Sequence, residues 1–261
     1  MTLYFEKAMM RAVGAVIAIS AIAPVQAAQV LVTPDSTVWQ SPLSENKGAG
    51  SSTITETMAR AGKGALEMTG DRTRMVMGSL YGGTNLGLFD SLTQLTFDWA
   101  IHSSSVAQLH ADYTPALRVT VIDKGLRSEL IWEGAYNGTY GQTNRDTWYS
   151  SGANDVFHRY EASTRSTTLS GNSQVNLSLA KWQASSYFSD AAYIAGFSVG
   201  VGGSAGNGYR AFADNVTVGL NGINNTYNFE TSADVPEPGS LALLGLGVIG
   251  AAIARRKKRD A

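Results

Sequence analysis

Between residues 95 and 101 every second side chain is a large apolar one: Leu95, Phe97, Trp99 and Ile101 alternate with Thr96, Asp98 and Ala100. A period of two fits a strand with one buried face and excludes an amphipathic helix, whose apolar stripe recurs every three to four residues. Leu117, Val119 and Val121 form a second such face. Asp123, Lys124 and Gly125 then supply a turn before Leu130 to Trp132 returns, so this stretch reads as a β-hairpin. Tyr193, Ala195, Phe197, Val199 and Val201 make a third face, followed across a Gly-rich loop by Phe212, Val216, Val218 and Leu220. Residues 54–61 and 177–186, the latter containing Trp182, are each expected to hold a short helix. The expected fold class is therefore all-β, an antiparallel sandwich with Gly- and Ser-rich loops.

The two ends follow different rules. Lys7 and Arg11, partly offset by Glu6, precede an apolar run from Ala12 to Ala23, which is the length of a signal h-region and short for a span. Pro24 ends the run, and Val25 and Ala27 place small side chains before a cut that leaves Ala28 first. Residues 1–27 are thus expected to be a signal peptide, handed to the Sec export machinery and a signal peptidase. At the other end, Leu241 to Ala254 carries no charge. As a helix it reaches about 21 Å against a hydrocarbon core of about 30 Å. Extended by Gly239 and Ser240, and with Arg255, Arg256, Lys257, Lys258 and Arg259 snorkelling to the headgroups, residues 239–254 form one expected transmembrane helix. The five cations hold the cytoplasmic side, so the body lies outside. The expected division is signal peptide 1–27, sandwich body 28–230, and spacer, motif, helix and tail 231–261.

Residues 28–237 hold 13 Lys plus Arg against 19 Asp plus Glu, a net charge of −6. That balance argues against nucleic acid as a partner, since phosphate binding rests on basic patches. Cysteine is absent. No disulfide, thiolate metal site or Cys nucleophile is available, and the body must be stable through its core.

Val235-Pro236-Glu237-Pro238-Gly239-Ser240, the Gly-punctuated apolar run after it and the terminal Arg-Arg-Lys-Lys-Arg together resemble the PEP-CTERM sorting signal of bacterial surface proteins. The resemblance implies recognition by an exosortase-type membrane protease and processing at or near Pro236, Glu237 and Pro238. Delivery to the cell surface or the exopolysaccharide matrix would follow, with the helix as a temporary anchor. The body is similar to lectin-like (jelly-roll) members of such proteins in three phrases: residues 128–138, Asp214-Asn-Val-Thr-Val and Thr226-Tyr-Asn-Phe-Glu.

Several patterns touch on chemistry. Gly245-Leu-Gly-Val-Ile-Gly250 has the letters of a dinucleotide fingerprint but lacks room for a βαβ unit, so helix contact explains its glycines better. Gly202-Gly-Ser204-Ala-Gly206 has the letters of a nucleophile elbow, yet a further strand follows it, which favours a hairpin loop. His102, His110 and His158 are read as loop or surface histidines. Glu129 and Glu133 are the nearest acidic pair in a strand region, but four residues of extended chain separate them by about 13 Å, too far for a retaining pair. Asp214 shares strand parity with Phe212 and Val216 and so should point inward, where a carboxylate needs compensation. Structural calcium held with loop carbonyls would provide it, as in lectin-like sandwiches, and a hydrogen-bonded Asp at a strand bulge would serve equally. Trp132, Tyr136, Tyr140, Trp148 and Tyr149 are candidate glycan contacts, set against a reading as core or loop anchors. The expectation for the whole chain is a non-enzymatic surface or matrix protein, structural or adhesive. Its alternatives are a calcium-dependent carbohydrate-binding module and a polysaccharide hydrolase.

Overall fold

A computed structural model describes residues 27–233. The expected signal peptide, PEP motif, transmembrane helix and basic tail lie outside the described residues. The body is all-β with a single short α-helix among the described residues, Leu179–Gln183, which falls within the expected 177–186. No helix of the described residues is long and apolar enough to cross a membrane.

Two sheets face each other. The seven-stranded first sheet runs Ala28–Val32, Ile223–Phe229, Arg210–Leu220, Ala65–Thr69 and Ser51–Thr55, with Leu92–Ile101 along the other side of Arg210–Leu220 and Tyr149–Ser150 beyond it. The nine-stranded second sheet runs Ser166–Thr167, Phe157–Glu161, Leu126–Trp132, Ala116–Asp123, Tyr193–Val201, Thr73–Gly78 and Trp39–Gln40, with Asn176–Leu177 also paired to Phe157–Glu161 and Gly87–Leu88 to Tyr193–Val201. One core fills the space between them. Leu95, Phe97, Trp99 and Ile101 enter it from the first sheet, and Leu117, Val119, Val121, Leu130 and Trp132 from the second. Trp132 meets Phe97 edge to face at 5.0 Å, so the aromatic contacts cross the interlayer.

The expected hairpin is present, with Asp123 paired to Leu126 across the two residues Lys124 and Gly125. Their φ values of 49° and 77° are those of a type I′ turn, whose twist suits a hairpin. Nothing lies within 4 Å of a Cβ built on Gly125. Gly125→Ala is therefore expected to cost only the left-handed backbone penalty, about 1–2 kcal/mol, read as a small drop in the urea midpoint.

Two bulges correct the strand parity expected from sequence. In Tyr193–Val201 the register shifts between Ile194 and Gly196, so Ile194, Phe197 and Val199 face the main core and Ala195 leaves the alternation. In Arg210–Leu220 the shift falls between Asp214 and Thr217, with Asn215 at φ 48°. This second bulge has a topological cause. On one side of the strand, residues 210–213 pair with Ala65–Thr69 and residues 216–220 with Ile223–Phe229, so the bulge sits where one neighbour gives way to the next.

The short helix expected over 54–61 is absent. Residues 51–55 are a strand and 56–64 a glycine-bearing loop laid against the backbone of 229–231. Gly64 has the Phe229 carbonyl and the Thr231 amide within 2.8 Å of where its Cβ would stand, an approach that a helix carrying side chains could not make.

Candidate functional site

On the second sheet, the residues that alternate with the core set point away from the interlayer. Register places Ser198 beside Arg118, Arg118 beside Ile131, and Ile131 beside His158, while Thr120 lies beside Glu129 and Glu129 beside Tyr160. An outward face is ordinarily wet. Here Ser198, Thr120, Arg118, Glu129 and His158 are all buried, because loops and the segment around Glu45 build walls over the sheet.

The walls leave a cavity of about 570 Å³. Lys47, Arg72, Arg74, Arg118 and Arg127 line it together with Glu45, Glu129 and Glu133, and Tyr81, Tyr113 and Tyr160 add aromatic surface. Five cations thus meet three carboxyl groups in a body that is acidic overall.

Two of the carboxylates are tied down. Glu129 accepts from Arg74 Nη1 at 3.1 Å and from Arg127 Nη1 at 2.9 Å. Burial pushes its pKa up, but the charges of Arg74 and Arg118 outweigh that, and it stays below the ordinary carboxylate value. Glu45 is likewise raised by burial and drawn down by more, through hydrogen bonds from Tyr81 and Arg72 and the charge of Arg74. Glu133 has no such donors: burial raises it, offset only in part by Arg118.

Arg118 is the least satisfied cation. It is 3% exposed, and its Nη1 makes one long bond of 3.4 Å to the Ala116 carbonyl. Burial lowers its pKa to about 10. Of the ten buried side-chain polar atoms that lack a hydrogen-bond partner among the described residues, five stand on this outward face: Arg74 Nε, Arg118 Nε, Thr120 Oγ1, His158 Nδ1 and Ser198 Oγ. Unpaired buried polar groups are costly, and two of these five, Arg74 Nε and Arg118 Nε, belong to residues that line the cavity.

The sequence candidates are placed differently. Trp132 is not on a platform: it is core, with Nε1 donating to Asp155 Oδ2 at 2.7 Å. Tyr149 stacks on Trp99 at 4.9 Å, and Trp148 packs beside Phe212 on the outer side of the first sheet. Tyr136 is exposed and meets His158 edge to face at 5.4 Å, while Tyr140 stacks on His110 at 4.0 Å. The five therefore form no single sugar-binding surface. His158, expected in a loop or at the surface, is a buried strand residue whose pKa falls to about 4, first through burial and then through Arg118.

Asp214 is buried, but not in the main core. Its partner across the sheet is Asp98, and the residue before the bulge on the same face, Phe212, belongs to the outer cluster with Ala65 and Ala100. Its Oδ1 accepts from the Asn215 and Phe229 amides at 2.8 and 2.9 Å, whereas Oδ2 has no partner among the described residues. Glu230 lies close by, accepting from Lys63 N and Asn228 Nδ2. No group of three His, Asp or Glu side chains converges as a metal set among the described residues.

Sequence reasoning missed the cavity. Arg118 and Thr120 were legible as the polar half of an alternating strand, and that reading sends them to solvent; only the loops that cover them turn them into a site.

Residues 234–259 match the PEP-CTERM protein-sorting motif, which marks the chain as an exported protein addressed to an exosortase. No curated protein matches the chain.

Proposed function

We propose that this exported protein works in the exopolysaccharide matrix outside the cell as an adhesive component, and that its body is a lectin-like jelly roll which holds glycan in the cavity of the second sheet. The observation that carries this reading is the cavity itself, walled over a sheet face, with tyrosines for the apolar faces of sugar rings and the Arg and Glu side chains of its lining for hydroxyls. Binding without turnover is the role we assign. Glu129 and Glu133 are separated by four residues of extended chain, about 13 Å, beyond the spacing of a hydrolytic carboxyl pair, and Glu45 is held by Tyr81 and Arg72.

The glycan reading is tested on an array of bacterial and plant polysaccharides, with calcium and then with chelator. Retention of at least one glycan is expected, and a blank array in both conditions would remove the reading. Sorting has a separate test. Glu237→Ala is expected to leave the chain unprocessed and in the membrane fraction, and unchanged release of a shortened protein would count against exosortase processing at this motif.

A further inference from the structure

The cavity is cationic where the body is acidic. Five of the thirteen Lys and Arg residues between 28 and 237 line it, and three of them, Arg74, Arg118 and Arg127, surround the single carboxylate Glu129. A site built for neutral sugars would gain little from burying a guanidinium at its floor, because desolvating an ion costs several kcal/mol that only another charge or a dense set of hydrogen bonds offsets. Arg118 has neither in full. Its Nε is unpartnered among the described residues, and its one bond to backbone is long.

The floor also has a glycine at its opening. A Cβ on Gly202 would stand 3.3 Å from Tyr113 Oη and 3.9 Å from Arg118 Nη2, so the missing side chain is what leaves the guanidinium reachable beside a tyrosine. Burial pushes that tyrosine up to about 12, which keeps its hydroxyl a hydrogen-bond donor. A planar fork next to a neutral hydroxyl and an aromatic ring is a fitting receptor for a carboxylate carried on a pyranose.

We propose that the cavity takes a carboxylate-bearing polysaccharide, a polymer of uronic acids, with the sugar carboxylate on the guanidinium of Arg118 and Lys47 and Arg72 as outer contacts. The proposal rests on the glycan-binding reading above and narrows it to a chemical class. Salt should weaken such binding, since Lys47 is exposed and Arg72 only half-buried, so both are screened more than Arg118. Rim and floor therefore differ in how they respond to ionic strength.

The experiment uses the full-length chain in mild detergent, titrated calorimetrically with oligogalacturonates and oligoguluronates at two salt concentrations. Dextran and cello-oligosaccharides serve as neutral probes, dextran sulfate as a different anion, and polyglutamate as an acidic peptide. Oligouronates are expected to bind best and to weaken with salt. Arg118→Ala should lose about 10- to 100-fold in affinity, the worth of a hydrogen-bonded charge. Because that variant removes a buried group, two others guard the result. Gly202→Leu, at a position with no positive φ, should block the floor and lose affinity similarly while keeping the parent's circular dichroism. Lys47→Gln, at an exposed rim position, should lose a few-fold and flatten the salt dependence. Equal binding of neutral glycans and uronates would overturn the anionic class while leaving glycan binding standing. Equal binding of dextran sulfate or polyglutamate, or an undiminished Gly202→Leu, would overturn the uronate site. Binding of no glycan at all would remove both readings.

Discussion

Replacing Trp99 by alanine is expected to take about 3–5 kcal/mol from the stability of the body, a large part of the 5–15 kcal/mol typical of a whole domain. Trp99 is 1% exposed and comes from the first sheet, yet its ring lies 6.1 Å from Trp132 of the second and stacks on Tyr149 at 4.9 Å. Truncation would open a cavity that the strands cannot close, because backbone hydrogen bonds fix their separation on both sides. Urea unfolding followed by far-UV circular dichroism measures it. A midpoint shift no larger than that of Gly125→Ala would show that the layers are not joined through this ring.

A second large effect is expected from pH. Burial is the main cause that raises Asp214 to about 7, helped by the charge of Glu230 and opposed by the amides of Phe229, Asn215 and Ala61. In the unfolded chain the group returns to about 3.9. The folded state thus holds this proton more tightly, so the stability it contributes is full below about pH 4 and is lost as pH rises through 7. The difference is worth about 4 kcal/mol. Glu45, Glu67 and Glu129 have the opposite sign, because their folded values lie below the ordinary 4.5 and their contribution is lost only in acid. His158, whose folded value of about 4 lies below the ordinary 6.5, contributes with the opposite sign between those values, so the difference between parent and variant is what isolates Asp214. The melting temperature of Asp214→Asn relative to the parent's is expected to rise as pH goes from 5 to about 7 and to stay level above it, with chelator present. A rise on adding calcium at pH 8 that Asp214→Asn abolishes would instead assign the unpartnered Oδ2 to a cation.

The sandwich was legible in sequence where burial and alternation agree, as along Leu95 to Ile101 and Leu117 to Val121. It ceased to be legible at the bulges. A single extra residue at Ala195 or Asn215 reverses every later side chain, and its cause is a change of neighbour, a tertiary event that leaves no mark in the local pattern. For Asp214 the inward direction inferred from Val216 was thus mistaken, while burial followed from another source, the loop 56–64. The groove was hidden for a related reason. Period two separates faces but does not say which outward face a loop will cover, so nothing in the pattern marked the Arg118 face for burial, while Trp132, weighed as a glycan contact and as core, is core.

The Ala28–Val32 strand has one partner among the described strands, Ile223–Phe229, and joins it in parallel. The earliest part of the body to be made must therefore wait for the last, roughly 200 residues later, before it has an edge to bind, a very non-local closure. A chain that has to be threaded out of the cell is helped by that delay. Its first sheet cannot be completed until almost all of the body is available on one side of the membrane, and any species clipped of its first strand would present the bare edge of Ile223–Phe229 to its neighbours.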